Sequence, residues 1–353
     1  MLNRFQLDLK IIIPILILFG FSLTSLGAIS SKLAISQIIF FLIGSFLFYF
    51  FSKFDYKNHQ HLINIYSISS LILLILPFLF GAVTRGAVRW IQIGSLTLQP
   101  SEIIKPFLIV IFAFLVSKKP DFLKYLAFLF LPAFLVFKQP DLGSALVVTA
   151  VWFGILFASD FPLYLPLSLL LGGLGLSPLV YKFLKPYQQQ RIISFLNPYT
   201  DPKKSGYHVI QSTIAVGSGG LWGRGLGHGT QSQLQFLPER HTDFIFALIA
   251  EELGLIGSVI LLITIFFLLK HLLSIARYAP DKFSQLIIVG VFTMLFFQSA
   301  INIAMNLGLL PITGITLPLV SAGGSSVLAT MISLGICHNI STHSVLKRGL
   351  EIK

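Results

Sequence analysis

A succession of long apolar runs constrains this chain more than any other feature. Each run is near the roughly 17 to 25 residues that a membrane-spanning helix needs. With 55% hydrophobic residues, 11% charged residues and a mean hydropathy of +0.86, the composition excludes a water-soluble globular fold. The pattern predicts an all-α polytopic membrane protein, a single domain over residues 1–353 with about ten transmembrane helices. The predicted spans are residues 11–29, 35–52, 62–80, 103–117, 122–138, 143–159, 163–182, 243–269, 284–306 and 316–337.

The basic residues predict how these spans are oriented. With the N-terminus inside, thirteen Lys and Arg residues fall in cytoplasmic segments and four fall in short outer loops, which favours cytoplasmic termini under the positive-inside rule. The long loop between the seventh and eighth spans, about residues 183–242, then faces outward. The net charge of +12 comes largely from Lys and Arg in short loops between the apolar runs. It therefore indicates contact with membrane lipids and not with nucleic acid.

Ionisable residues are densest where this outer loop meets the eighth span. Asp243 lies where water gives way to a lower dielectric, and a carboxylate there can act as a general base or bind a cation. Capping the N-terminus of the helix is an equally good interpretation of Asp243 from the residue alone. Glu239, Arg240 and His241 precede it, and we expect positioning or structural roles for Glu239 and His241, since a lone histidine makes no metal motif.

Two further acids, Glu251 and Glu252, lie inside the apolar run. On a helix that continues from Asp243, Glu251 is roughly 12 Å deeper and about 80° around, while Glu252 is nearly opposite. We therefore expect the two acids to face different surroundings, in a buried hydrogen-bond network or along a proton or cation path. Gly254 and Gly257 follow at a spacing that lets a neighbouring helix approach closely.

Charged residues also occur at the start of two earlier spans. Glu102 and Lys105 are three residues apart, so they can share a helix face as a structural ion pair or line a cavity that contacts substrate charge. Asp141 precedes the sixth span, where a capping role and a functional role are equally consistent with the sequence.

The outer loops contain glycine, basic and aromatic residues. A glycine-rich segment, residues 217–229, can bring its backbone close to a ligand or form a mobile tip. The basic residues of the long loop suit an anionic ligand such as a pyrophosphate, although a cationic loop near anionic lipid explains them equally well. The shorter loop, 81–102, suits the lipid headgroup region because it contains Arg85, Arg89 and Trp90. The basic residues of the long loop are Lys185, Arg191, Lys203, Lys204, Arg224 and Arg240.

Several ordered motifs resemble those of the SEDS family (shape, elongation, division and sporulation). The resemblance extends over roughly residues 81–335 and is nearest to the elongation branch, because of Arg240 in Glu-Arg-His-Thr-Asp. The matching motifs are Phe236-Leu-Pro-Glu-Arg-His-Thr-Asp-Phe-Ile-Phe246, Gly206-Tyr-His-Val-Ile-Gln-Ser212, Ile214-Ala-Val-Gly-Ser-Gly-Gly-Leu-Trp-Gly223, Gln99-Pro-Ser-Glu102, Gln139-Pro-Asp-Leu-Gly143 and Pro311-Ile-Thr-Gly-Ile-Thr-Leu-Pro-Leu-Val-Ser-Ala-Gly-Gly-Ser-Ser326.

The resemblance implies a peptidoglycan glycosyltransferase of the bacterial inner membrane that polymerises lipid II beside a class B penicillin-binding protein. It implies that Asp243 is the essential aspartate, with Mg²⁺ or Mn²⁺ as a candidate cation. By the same resemblance, Glu102 and Lys105 match the charged pair of the fourth helix, and Arg191 falls in a common motif of the outer loop. Substrate contacts are therefore expected at Arg191, Lys105, Glu102, Glu239, His241 and Arg240, with structural or partner roles for Glu251, Glu252, Trp90 and Asp141.

Two alternatives from other classes remain open at the level of sequence. The intramembrane acids are also typical of a transporter, which here would flip lipid II across the membrane. A noncatalytic scaffold of the cell-wall machinery is the third interpretation, and buried charges in the spans argue weakly against it.

Overall fold

The computed structural model describes residues 7–84, 87–93, 96–118, 121–200, 205–234 and 236–351, so Arg85, Lys203 and Lys204 lie outside the described residues. Fourteen α-helices and three short strands occur in these ranges. The helices are α1 (Leu9–Ile29), α2 (Ser31–Lys53), α3 (Ile63–Phe80), α4 (Pro100–Ile103), α5 (Lys105–Lys118), α6 (Phe122–Lys138), α7 (Leu142–Phe157), α8 (Tyr164–Phe183), α9 (Pro186–Leu196), α10 (Ser205–Ser218), α11 (Thr230–Gln233), α12 (Ile245–Arg277), α13 (Lys282–Asn306) and α14 (Gly324–Glu351). The strands are β1 (Ala82–Thr84), β2 (Ala87–Ile93) and β3 (Leu96–Leu98).

Each of the ten predicted spans overlaps one of these helices, which confirms the all-α polytopic fold. Seven helical segments in the described ranges are long and apolar enough to cross a membrane by themselves. The last span was predicted to begin too early, because α14 begins at Gly324 and not at residue 316. Residues 316–323 form an irregular turn instead, in which Leu319 has a positive φ of 64° and the Ser321 hydroxyl accepts the Leu317 N–H at 2.9 Å.

Helices α12 and α13 occupy the centre of the bundle. Helix α12 packs against α13 and α1, while α13 also packs against α5 and α7, and α14 lies along α2. A large hydrophobic core runs through these helices, and a smaller cluster packs α10 against the start of α12 and the end of α13. Helix α8 lies at the periphery, since only 6% of its most apolar 18-residue stretch is buried. The bundle therefore surrounds the first turns of α12, where residues 245–252 are all buried.

Both of the loops that were predicted to face outward contain regular structure. The segment 183–242 carries α9, α10 and α11, whose short and partly polar sequences give a weak hydropathy signal. The segment 81–102 folds into a small antiparallel sheet in the order β1–β2–β3, with Trp90 opposite Ala82 and Ile91 opposite Leu98. Loop segments that form sheets or helices can hold side chains in fixed positions over the end of the bundle.

Helix α12 is interrupted at Gly254, where φ is 66° and ψ is −161°. The prediction that Gly254 admits a neighbouring helix was wrong: the backbone of the glycine-rich segment fills the break. A Cβ at Gly254 would lie 2.3 Å from the Gly223 nitrogen, so this approach requires glycine. Four backbone hydrogen bonds join the two segments: Arg224 N to Glu251 O (3.0 Å), Gly225 N to Glu252 O (3.0 Å), Leu255 N to Gly220 O (2.9 Å) and Ile256 N to Leu221 O (3.2 Å).

The prediction that Glu251 and Glu252 face different surroundings was also wrong. Both carboxylates turn toward residues 217–233 of the loop predicted to face outward, here called the outer segment, which covers the break. Glu251 accepts the backbone N–H groups of Gln231 at 2.8 Å and Ser232 at 2.9 Å. Glu252 accepts the N–H of Gly227 and the side-chain amide of Gln233, each at 3.1 Å. The two acids are therefore held by hydrogen bonds to one structure, because residues 227–233 reach both of the side chains.

Candidate active site

Asp243 lies in the turn that leads into α12. This half-buried residue precedes the N-cap position of that helix, which is Phe244, and no side chain caps the helix there. The turn is closed by the Glu239 carbonyl, which accepts the N–H groups of Thr242 and Asp243 at 3.1 Å and that of Phe244 at 3.3 Å. Glu239 itself has a positive φ of 53°. Glu239 thus shapes the turn through its backbone, and the N-cap position of α12 falls on Phe244 and not on Asp243.

Two asparagines of α13 hold the backbone of Asp243. The Nδ2 groups of Asn302 and Asn306 each donate to the Asp243 carbonyl at 3.0 Å. Asn306 also accepts the Ala247 N–H at 3.1 Å, and Asn302 also donates to the Ile315 carbonyl at 2.7 Å. Both asparagines are 0% exposed. The sequence analysis missed them, although two amides four residues apart inside an apolar run are a signal of an inward-facing polar pair.

The loop between α13 and α14, residues 307–323, covers the other side of the same turn. Gly314 lies against Asp243, because a Cβ there would be 3.6 Å from the Asp243 Oδ2 atom. The Ser321 hydroxyl donates to the Thr242 carbonyl at 2.7 Å, and the Ala322 N–H donates to the His241 carbonyl at 2.8 Å. Asp243 is thus fixed between α13 and this loop.

Arg191 of α9 binds the same loop. Its guanidinium donates to the Ile312 carbonyl at 3.3 Å, two residues before Gly314. His208 of α10 lies close by: burial first, and then the positive charge of Arg191, lower its pKa below the usual value, while Glu239 opposes the change. His208 Nδ1 is buried without a hydrogen-bond partner among the described residues. The structure therefore brings Arg191 and Asp243 to one loop and adds His208, which we had not selected.

Arg240 points toward the broken part of α12. Burial lowers the pKa of its guanidinium, and the charge of Glu252 acts in the opposite direction. Its Nη1 atom is buried and has no hydrogen-bond partner within the described ranges. The positive charge of Arg240, in the turn before Asp243, therefore interacts with the Glu252 carboxylate, which binds the outer segment.

Glu102 and Lys105 form a buried ion pair of 2.5 Å at the junction of α4 and α5. Lys105 is 2% exposed, and the Ser144 hydroxyl of α7 lies 3.4 Å from the same Glu102 oxygen. The second Glu102 oxygen, Oε2, is buried and unpaired in the described structure. The pair therefore joins the fourth and sixth spans.

Asp141 is the N-cap of α7 and accepts the Ser144 N–H at 3.2 Å. Its carboxylate also accepts from the Gln99 amide at 2.6 Å and the Ser101 hydroxyl at 2.9 Å, and Arg89 lies 3.7 Å away. This arrangement gives Asp141 a structural capping role. The network anchors the sheet-bearing segment 81–102 to the bundle.

A cavity of about 320 Å³ opens beside the Asp243 turn. Trp90 of β2, His241 and Thr242 line one side of it, and Phe40 of α2 and Gly324 of α14 line the other. His241 and Trp90 therefore share a space that reaches from the turn to α2. Its mixture of ring, hydroxyl and aliphatic groups suits a ligand with both sugar-like and apolar parts.

The comparison with known families identifies the chain. The family model described as a cell cycle protein, FtsW/RodA/SpoVE, matches residues 1–346. The chain belongs to this family. Peptidoglycan glycosyltransferase MrdB of Escherichia coli K12 is 43% identical over 280 residues, or 77% of this chain and 76% of the relative. MrdB of Helicobacter pylori is 37% identical over 341 residues, covering 93% and 87%. The chain is thus a SEDS protein close to RodA.

Solved structures of the family share the fold. A structure showing the coordination of polymerisation and crosslinking by a peptidoglycan synthase complex has a TM-score of 0.81 at 33% identity, covering 96% of this chain and 98% of that one. The rod shape determining protein RodA of Thermus thermophilus has a TM-score of 0.74 at 28% identity, covering 97% and 98%. These likenesses confirm the polytopic helical architecture.

Proposed function

We infer that this chain is a peptidoglycan glycosyltransferase of cell elongation, and we propose that it polymerises lipid II around Asp243. The names of its MrdB relatives support the activity class. The observation that carries the proposal for the site is the placement of Asp243. Its backbone is fixed by Asn302 and Asn306, it lies just before the N-cap position of α12, and it lies against the loop that Arg191 binds.

In the proposed reaction, a sugar hydroxyl of one lipid-linked chain attacks the anomeric carbon of another. A carbon–oxygen bond forms at that carbon, the bond to undecaprenyl pyrophosphate breaks, and the hydroxyl proton passes to the Asp243 carboxylate. Fixing the backbone of Asp243 limits the positions that its carboxylate can take. Such positioning lowers the entropic part of the barrier.

The leaving pyrophosphate needs positive charge beside it. We assign this role to Arg191, whose planar guanidinium can bind phosphate oxygens with two donors. Lys105 would act less directly, because it is 2% exposed and already paired with Glu102. Arg240, Glu239 and His241 would orient substrate from the turn and from the cavity that His241 and Trp90 line.

A divalent cation, Mg²⁺ or Mn²⁺, is a further part of the proposal. In the described residues, no group of three or more His, Cys, Asp or Glu side chains could hold a metal by itself. We therefore propose a site in which Asp243 supplies the one protein carboxylate. Water and substrate phosphate would supply the other ligands, as is common for Mg²⁺. When bound, such a cation would neutralise charge on the pyrophosphate.

The proposed cellular setting follows from the substrate. Lipid II presents its sugars outside the cytoplasmic membrane, so we place Asp243 at the outer face of that bacterial membrane and both termini in the cytoplasm. A class B penicillin-binding protein is the proposed partner. The likeness to a solved peptidoglycan synthase complex that coordinates polymerisation and crosslinking supports it.

The flippase alternative is less well supported by the geometry. Glu251 and Glu252 bind the outer segment through backbone and amide donors, and Glu102 pairs with Lys105. These contacts give each acid a local structural partner. Purified protein that polymerises lipid II in detergent, without two compartments, would favour glycosyl transfer over flipping.

The deciding experiment compares the purified wild type with Asp243→Asn on lipid II, in the presence of the transpeptidase partner. Asp160→Asn is the matched control, because Asp160 is 78% exposed and pairs with Lys282. We expect glycan strands from the wild type and the control and none from Asp243→Asn. Equal product from Asp243→Asn would remove this residue from the mechanism.

A titration of Mg²⁺ and Mn²⁺ separates the two roles of Asp243. Loss of activity in Asp243→Asn at every metal concentration supports proton transfer. Partial recovery at high metal concentration supports a cation ligand instead, because an amide oxygen still binds a cation weakly but cannot accept the proton.

A further inference from the structure

An apolar groove of about 710 Å³ lies between α1 and α12. It is distinct from the cavity beside Asp243, and the proposed glycosyl transfer does not use it. The aliphatic and aromatic lining comes from both helices, and polar groups occur at one end. Its lining residues are Leu9, Lys10, Ile13, Pro14 and Ile17 of α1 and Ile260, Ile263, Thr264, Phe267, Lys270, His271 and Ser274 of α12.

The groove lies at the end of the bundle opposite Asp243. The start of α1 meets the far end of α12, where the His271 Nε2 and Asp8 Oδ2 atoms are 2.8 Å apart. The other end of α1 meets the outer segment, because the Gln233 amide donates to the Ala28 carbonyl at 3.3 Å. The two helices are thus antiparallel. The groove opens in the other leaflet from the candidate active site.

The polar end of the groove is positively charged. Lys10 and Lys270 are both exposed there, one from each helix, and the exposed Ser274 hydroxyl lies one turn beyond Lys270. Asp8 lies at the start of the same helix as Lys10, and its Oδ1 atom accepts the Lys10 N–H at 3.2 Å. Burial alone would raise its pKa, but the hydrogen bond and charge of His271, together with hydrogen bonds from Ser341 and the Lys10 N–H, hold the pKa of Asp8 below its usual value. Since His271 occupies Asp8, the two lysines remain available for an external anion.

We propose that this groove is a binding site for an anionic glycerophospholipid of the leaflet opposite Asp243. The acyl chains lie along Ile13, Ile17, Ile260 and Ile263, where the lining is aliphatic. The phosphate lies between the ammonium groups of Lys10 and Lys270. Basic side chains from two neighbouring helices at headgroup depth are the chemistry that retains anionic lipid, whereas a zwitterionic lipid meets the same lysines with no net charge of its own.

The test uses the full-length protein and lipids that differ only in headgroup. Protein in detergent micelles is mixed with equal amounts of phosphatidylglycerol and phosphatidylcholine of the same acyl composition. The lipids that stay bound are then counted by native mass spectrometry. We expect phosphatidylglycerol to be retained on the order of tenfold more than phosphatidylcholine.

Variants locate the site. Lys10→Gln with Lys270→Gln should abolish the preference, while the control pair Lys57→Gln with Lys124→Gln removes the same charge at exposed positions outside the groove and should keep it. Ile13→Trp fills the groove from a lipid-facing position and should lower retention of phosphatidylglycerol without touching charge. The proposal is overturned if wild type shows no preference, if both lysine pairs lose it equally, or if Ile13→Trp retains phosphatidylglycerol as wild type does.

These outcomes are independent of glycosyl transfer. The readout is bound lipid, so a failure of the lipid proposal would leave the Asp243 experiment unaffected. Conversely, an inactive Asp243→Asn protein should retain phosphatidylglycerol as well as wild type does.

Discussion

The side-chain amide of Asn306 donates to the main-chain oxygen of Asp243 at 3.0 Å, across the contact between α13 and the start of α12. Asn306 also accepts the Ala247 N–H. One side chain therefore satisfies two backbone groups at the point where the candidate catalytic turn becomes a helix. This makes Asn306 a positioning residue for Asp243.

Asn306→Ala should lower kcat for lipid II polymerisation by roughly tenfold or more with a smaller change in KM, because the Asp243 carboxylate loses a fixed position. It should also cost about 1–3 kcal/mol of stability, since the buried Ala247 N–H loses its partner and the Asp243 carbonyl loses one of its two donors. Steady-state kinetics and thermal unfolding measure both effects. Ser299→Ala, at another buried position of α13, is the control and should change kcat little. An unchanged kcat in Asn306→Ala would contradict the positioning role.

Gly254→Ala should destabilise the protein strongly. A Cβ at this positive φ would lie 2.3 Å from the Gly223 nitrogen and 2.7 Å from the Leu221 carbonyl oxygen, so the backbone bonds across the break must shift. We expect the free energy of unfolding to fall by roughly several kcal/mol, because alanine is strained at a positive φ and backbone hydrogen bonds across the break are lost. Thermal unfolding in detergent provides the measurement.

Gly173→Ala is the matched control for that change. Gly173 lies in α8, and nothing is within 4 Å of where its Cβ would be. Since alanine favours a helix over glycine, this variant should be as stable as wild type or slightly more stable. Similar melting temperatures for both variants would contradict the account of the break.

Lys105→Met should leave the Glu102 carboxylate buried without its counter-charge. Removing one partner of a buried pair costs roughly 3–5 kcal/mol, so we expect a large fall in melting temperature. Adding Glu102→Gln removes the remaining charge and should restore part of the loss. If the double variant is no more stable than Lys105→Met, Glu102 is not the group that the lysine neutralises.

Acid should destabilise the protein partly through His208. Its pKa is lowered in the folded protein by burial and by Arg191, so the unfolded chain takes up a proton first as the pH falls. The destabilisation by His208 is absent well above its pKa in the unfolded chain, about 6.5. It grows as the pH falls from there toward the lower pKa of His208 in the folded protein. His208→Gln should therefore show a shallower loss of melting temperature below pH 7 than wild type. The exposed His228→Gln should keep the wild-type slope.

Hydropathy was sufficient to locate the spanning helices because a bilayer imposes a length on them. The prediction of 284–306 differs from α13, Lys282–Asn306, by two residues at one end. Hydropathy could not show the break at Gly254, since a glycine in an apolar run is compatible with a continuous helix. What decides the conformation is the glycine-rich segment, which is some thirty residues away in sequence and fills the break.

The candidate site was predictable where a charge stands in an unexpected place. Asp243 and the Glu102–Lys105 pair were selected for that reason, whereas Arg191 was selected from a motif of the SEDS resemblance. The structure places Arg191 and Asp243 on one loop. Asn302 and Asn306 are uncharged, so they carry no comparable desolvation cost and were not selected. Their importance depends on which carbonyl they reach, and only the packing of α13 against α12 fixes that.

Backbone hydrogen bonds across the break join the outer segment to α12. In a chimaera of two related proteins, the two segments would therefore have to come from the same parent. Residues 220 and 221 accept from the helix beyond Gly254, and residues 224 and 225 donate to the helix before it. An outer segment transplanted into a homologue without its own α12 would present these groups to a helix shaped for another partner. A chimaera that keeps the fold must therefore take residues 217–257 from one parent. Exchanging only the loop between the seventh and eighth spans would separate groups that are hydrogen-bonded to each other.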